Sequence, residues 1–175
     1  MLPSRLRKLF ACTLLLISSC ALAANKDKTE PAPRFNAKTL DGAKFDNAGI
    51  KGRVILLEFW TTWCHYCAEE APLVEKLSQE FKDKGLTVLA INVGESKKTV
   101  KKYLEQHPRT CSIVLTEDTN LAAMYQATVY PIYVVIDRDG NIVATQRGAG
   151  GEKALRHSLA RAGIGSPSDS DSDSE

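Results

Sequence analysis

Two cysteines, Cys64 and Cys67, stand where an apolar run meets an amphipathic one, in Glu58-Phe59-Trp60-Thr61-Thr62-Trp63-Cys64-His65-Tyr66-Cys67-Ala68-Glu69-Glu70-Ala71-Pro72. The run Val54 to Phe59 reads as a buried strand, and Leu73, Val74, Leu77 and Phe81 then fall on one face of a helix. A Cys-x-x-Cys pair at a strand-to-helix junction is a redox pair, because it places both thiols in the first turn of the helix. The unpaired N–H groups and the positive end of the helix dipole stabilise a thiolate there. Cys64, expected to be the more exposed of the two, is the candidate nucleophile. Cys67 is the resolving thiol, close enough to close a ring and expel a bound partner.

The elements that must hold this pair follow along the chain. Phe35 to Phe45 reads as a hairpin turned by Asp41-Gly42, and the cysteine helix runs to about Lys84, capped by Gly85, with Pro72 kinking it. Leu86 to Val93 is a second strand, and a helix from about Ser96 turns Val100, Tyr103 and Leu104 inward until Pro108 ends it. Ser112 to Thr116 is a short strand, and Asp118 or Thr119 caps a helix over Asn120–Tyr125. Tyr133–Asp137 and Ile142–Arg147 form an antiparallel pair through Asp139-Gly140, Gly148–Gly151 is a flexible joint, and Glu152–Ala162 is the closing helix. This order predicts an α/β fold, a central mixed β-sheet flanked by helices on both faces.

Composition narrows the classes. At 43% hydrophobic and 25% charged, the 175 residues suit one globular domain with extra sequence at the ends. No long basic patch with interleaved aromatics is present, which argues against nucleic acid binding. Residues 1–23 read as an export signal: Arg5, Arg7 and Lys8 form a positive region, and Leu9 to Ile17 an apolar one too short to span a bilayer comfortably. Two cleavage readings stay open. Ile17-Ser18-Ser19-Cys20 resembles a bacterial lipobox, leaving Cys20 lipidated, and Ala21-Leu22-Ala23 is an A-x-A site that discards it. Both place the domain outside the cytoplasm, in the periplasm or its equivalent, with the membrane met only through signal or lipid anchor. Residues 24–33 read as a linker, 34–163 as the domain, and the acidic Ser/Asp stretch 164–175 as a disordered tail. With Cys12 and Cys20 at the signal, only Cys64, Cys67 and Cys111 remain, too few for a disulfide-stapled scaffold. Cys111 reads as a small buried hydrophobe.

Trp63-Cys64-x-x-Cys67 after an apolar strand, with Tyr130-Pro131 before another, resembles thioredoxin-fold thiol–disulfide oxidoreductases. Ala32-Pro33-x-Phe35, the Asp41-Gly42 hairpin, Lys51-Gly52-Arg53, Cys67-x-x-Glu70-x-Pro72 and Asn92-Val93-Gly94-Glu95-Ser96 are similar to the exported TlpA/ResA/CcmG-like branch, with its N-terminal β-hairpin extension. The resemblance covers roughly Pro31 to Ala162. It implies a cis Pro131 against the disulfide, with the Tyr130 backbone free to pair with a substrate strand. It implies an active-site role for Glu70, which lies one helical turn beyond Cys67. Glu58 stands where thioredoxin has a buried aspartate; burial would disfavour its charged form and let it relay a proton to or from Cys67. Trp63, His65, Tyr66, Tyr130 and Pro131 are the expected substrate-contacting residues. His65-Tyr66 and Ile132 depart from the branch's commoner residues, and His65 beside the nucleophile can stabilise the thiolate.

The reading is an exported thiol–disulfide oxidoreductase acting by dithiol exchange, with no organic cofactor and no metal. Its partners are exported protein thiols and disulfides, apocytochrome c among them by resemblance, and a membrane electron donor that re-reduces it. A net oxidase or isomerase is the alternative direction. A copper chaperone using Cys64, Cys67 and a histidine is a second class, since thiolates suit Cu(I), although the comparable copper-assembly proteins space their cysteines by three residues. A peroxidase is a third; its P-x-x-x-T-x-x-C signature would need proline at Leu57.

Overall fold

The computed structural model describes residues 30–166. The export signal, Cys12 and Cys20, and the tail beyond Ser166 lie outside the described residues. The elements are β1 (Glu30–Pro31), β2 (Asn36–Thr39), β3 (Lys44–Asp46), β4 (Val54–Trp60), α1 (His65–Glu80), β5 (Leu86–Asn92), α2 (Lys97–Gln106), β6 (Ser112–Thr119), α3 (Leu121–Met124), β7 (Ile132–Ile136), β8 (Asn141–Arg147) and α4 (Gly151–Arg161). The eight strands form one mixed sheet in the order β1-β8-β7-β4-β5-β6-β2-β3.

β4 occupies the middle because it can be buried on both faces: all seven residues of Val54–Trp60 are buried. It runs parallel to β5 and antiparallel to β7. The pleat sends Val54, Leu56, Glu58 and Trp60 to one face and Ile55, Leu57 and Phe59 to the other. The first face packs on Val74 and Leu77 of α1, Val100 of α2, and Leu155 and Leu159 of α4. The second packs on Leu121 and Ala122 of α3 and on Phe35 and Ile50 of the N-terminal extension. Glu58 is therefore the one acid on the cysteine-helix face of an otherwise apolar strand. The hairpin β2–β3 adds to the sheet edge through β6.

Several boundaries differ from the sequence expectation, each because a partner recruited extra residues. Glu30 and Pro31, inside the stretch read as linker, pair with Ile142 and Asn141 of β8. Ile164, placed in the tail by sequence, is buried in the core at 1% exposure. β6 runs on to Thr119, since Ala37 and Thr39 of β2 pair with it as far as that residue, shortening α3. The N-cap of α3 is Asn120, not Asp118 or Thr119, although Thr119 Oγ1 accepts from Leu121 N at 3.3 Å just before it. The cysteine helix ends at Glu80, and a tighter turn over Lys82–Lys84 leads to Gly85 in the left-handed region. Pro72 is held within α1, which continues through it to Glu80. α4 is clamped to α1 by Arg156, whose guanidinium donates to both carboxylate oxygens of Glu80 at 2.8 and 2.6 Å.

Candidate active site

Cys64 is the N-cap of α1, with extended backbone (φ −81°, ψ 107°), and Cys67 lies in the first turn. The two sulfurs are bonded to each other, with Cα atoms 5.3 Å apart. Cys67 N donates to Cys64 Sγ at 3.2 Å, so the helix start presents an N–H to that sulfur, a contact that favours a thiolate there. No acidic residue stands in the first turn of α1 to oppose a thiolate. Cys64 is the more exposed of the pair, at 7% against 2%.

The loop that aims Cys64 is held from β5. Glu95 accepts from Thr62 N and Oγ1 at 2.7 and 2.5 Å and from Asn92 Nδ2 at 2.7 Å. In the sequence Glu95 belongs to a stretch similar to the branch but carries no role of its own. Its signal is weak: a surface-type acid just past a strand end, 33 residues from its partner Thr62.

Around the disulfide the surface is apolar and open. Trp63 is 71% and Tyr66 59% exposed, and Val129 is also exposed. The Tyr130–Pro131 peptide is cis, and Pro131 is buried. Trp63 meets the Tyr130 ring edge-on at 5.7 Å, while Tyr130 Oη donates to Ala127 O at 2.9 Å. His65 Nε2 lies 3.1 Å from Glu69 Oε1, and its ring centre is 5.8 Å from that of Tyr66.

Glu70 is buried, at 6% exposure, and not a solvated neighbour of the exposed Glu69. Its Oε2 accepts from Tyr133 Oη at 2.8 Å, and its Oε1 from Gly150 N and Gly151 N at 2.9 and 2.6 Å. These amides begin α4, whose cap residue Gly150 supplies no side-chain hydrogen bond. Glu70 thus caps a distant helix in trans, satisfying orphan donors and complementing the dipole with a negative charge. Gly151 needs its left-handed φ of +72°, and a Cβ on Gly150 would sit 2.9 Å from Ala154 Cβ. The expected flexible joint is instead a fixed attachment. Burial, with Glu58 and Glu70 nearby, pushes the Tyr133 phenol far up, so it remains a donor.

Glu58 is fully buried and is met by a residue to which the sequence drew no attention. Arg109 Nη1 and Nη2 donate to its two oxygens at 3.2 and 2.6 Å, and Arg109 Nε donates to Glu75 Oε1 at 3.2 Å. The Arg109 side chain is only 4% exposed, with its guanidinium 5.6 Å from the Trp60 ring centre. Burial works against its charge, but Glu58 and Glu75 outweigh that and hold it above its ordinary value. Glu75 also accepts from Thr110 N, Thr110 Oγ1 and Cys111 N. The expected relay assumed a carboxylate desolvated and alone; here it is half of a bidentate ion pair. A weak signal was available, because a buried acid must find donors or a counter-charge and Arg109 is the only arginine between Arg53 and Arg138. Cys111 is buried as expected, and burial keeps its thiol well above the ordinary range, far from a reactive thiolate. Among the described residues, no three His, Cys, Asp or Glu side chains group to hold a metal ion.

Comparison with known proteins agrees with this geometry. The Redoxin family model matches residues 27–162. The chain is similar to the thiol-disulfide oxidoreductase ResA of Bacillus subtilis, 30% identical over 154 residues, 81% of this chain and 86% of that protein. It is 34% identical to the thioredoxin-like protein YneN of Bacillus subtilis over 74% of this chain and 77% of that one. Among solved structures it is similar to a thiol:disulfide interchange protein of the thioredoxin family from Chlorobium tepidum TLS, at TM-score 0.68 and 26% identity, covering 77% and 97% of the two chains. The chain belongs to the redoxin family, as a TlpA/ResA/CcmG-like protein disulfide oxidoreductase whose exchanging pair is Cys64 and Cys67.

Proposed function

We propose that this oxidoreductase works outside the cytoplasm as a reductant of protein disulfides, with the disulfide form of apocytochrome c among its substrates. The observation that carries the reading is the Cys64–Cys67 pair at the start of α1, beside the exposed Trp63, Tyr66 and Val129 and the half-buried Tyr130. An apolar surface beside an available backbone edge fits an extended segment of another protein. The Cys64 thiolate attacks one sulfur of the partner's disulfide and the partner's other sulfur leaves as a thiolate. Cys67 then attacks Cys64, the mixed disulfide breaks, and the partner leaves with both electrons. A membrane electron donor returns the enzyme to its dithiol form, and neither metal nor organic cofactor enters the cycle.

Glu70 supports the site by fixing the cysteine helix to α4, and Glu95 by fixing the loop before Cys64. The N-terminal signal carries the export reading, with Cys20 as lipid anchor or Ala23 as the last residue removed; no helix among the described residues is long and apolar enough to cross a membrane. The reduction potential tests the direction. A value near about −300 mV or lower identifies a reductant, and one near about −120 mV would make it an oxidant instead. Mass spectrometry of the mature N-terminus decides between the two processing sites.

A further inference from the structure

Next to the resolving cysteine lies a pocket of about 340 Å³ that thiol–disulfide exchange at Cys64 does not itself require. Cys67, Trp60, Tyr103, His107, Glu75 and Arg109 are among its lining residues. It has room for several water molecules. Trp60 also carries a buried indole N–H with no protein partner among the described residues, a donor suited to such water. Arg109 thus lines the same pocket as Cys67 while gripping Glu58 with two hydrogen bonds.

The resolving step needs Cys67 as a thiolate, in the least exposed part of the site. A buried carboxylate close by would oppose that ionisation, and a buried cation would favour it. We propose that Arg109 is a positioning residue for the resolving step: lining the same pocket as Cys67, its guanidinium offsets the charge of the Glu58 it grips, so that the Cys67 thiol ionises and its proton passes to water in the pocket. Cys67 then attacks Cys64, the Cys64–Cys67 bond forms, the mixed disulfide breaks, and the partner's sulfur leaves as a thiolate that takes up a proton from water. Glu58 in this scheme is a fixed counter-charge and not the proton carrier. The other titratable groups lining this pocket are Glu75 on α1, Tyr103 on α2 and His107 after it; Glu70, Cys111 and Tyr133 lie in the surrounding core. Tyr133, bonded to Glu70, stays neutral, as does Cys111. The inference rests on exchange through Cys64 and Cys67 and is independent of the direction of electron flow.

The test mixes the reduced full chain with excess dithiobis(nitrobenzoate) and follows release of the coloured thiolate across about pH 6 to 10, bracketing an ordinary thiol value of about 8.5. The first phase is attack by Cys64 and the second is resolution by Cys67. Arg109→Gln should move the midpoint of the second phase up by about 1 pH unit, which slows it about tenfold at neutral pH. Glu58→Gln should move it down by a similar amount, and the double variant should return it close to wild type. Opposite shifts that cancel cannot come from a general loosening of the core. Shifts of the same sign, no shift, or a double variant that does not return would overturn the proposal. If Arg109→Gln does not fold, Arg109→Lys must keep the wild-type midpoint while Glu58→Gln alone lowers it; failure of either overturns it. Loss of the first phase in wild type would instead overturn the exchange chemistry itself.

Discussion

Two carboxylates lie buried around the cysteine helix, Glu58 at 0% and Glu70 at 6% exposure, and the protein meets their charges by different means. Glu58 is in the middle of a central strand, where the backbone N–H groups on both sides are already committed to β5 and β7. Only a side chain can serve it, and the chain brings in Arg109 from 51 residues away. Glu70 projects from a helix toward the start of another helix, where backbone donors have no intrahelical partner. Two of those amides and the neutral Tyr133 suffice, and no cation is needed. A buried acid on a strand thus depends on one replaceable residue. One beside a helix terminus depends largely on backbone that substitution leaves in place.

Substitutions can break or sharpen this contrast. The largest effect belongs to neither acid: Cys64→Ser should abolish insulin-disulfide reduction, and Cys67→Ser should accumulate mixed disulfides visible on non-reducing gels. That variant sets the zero against which the carboxylate variants are read. Next, Arg109→Ala should lower the unfolding free energy in urea by about 3–5 kcal/mol, because it strands Glu58 without a counter-charge. Glu70→Gln should lose only about 1.5–3 kcal/mol, the scale of hydrogen bonds to a charged group. Equal losses from the two substitutions would erase the distinction. Tyr133→Phe should be the mildest of these, at about 1 kcal/mol, since two amides still hold Glu70.

The Glu58 side should also show its own acid sensitivity. Burial acts to raise the Glu75 carboxyl, but hydrogen bonds from Thr110 and Cys111 and the Arg109 charge outweigh it and hold it below its ordinary 4.5. A carboxylate depressed in the folded state contributes stability that is present above its unfolded value and disappears as pH falls through the folded one. The difference in urea stability between wild type and Glu75→Gln should therefore be full at neutral pH and should shrink as the medium is acidified below about 4.5. A difference that stays constant into acid would show that the Glu75 contacts are indifferent to its charge.

Local chemistry was legible in the residues themselves. The spacing of Cys64 and Cys67 at a strand-to-helix junction, the hairpin at Asp41-Gly42, the buried strand Val54–Phe59 and the burial of Glu58 and Cys111 all follow from residues close in sequence, whose periodicity and turn preferences act over a few positions. The resemblance of Tyr130-Pro131 added the cis bond. What only the tertiary structure decided is which groups neutralise which: Arg109 for Glu58, the start of α4 for Glu70, Glu95 for the loop before Cys64. Those partners lie 51, 81 and 33 residues apart, and no local preference selects among the available donors. The choice falls to the packing of strands and helices, because a buried charge must accept whichever donor the fold brings within hydrogen-bond reach.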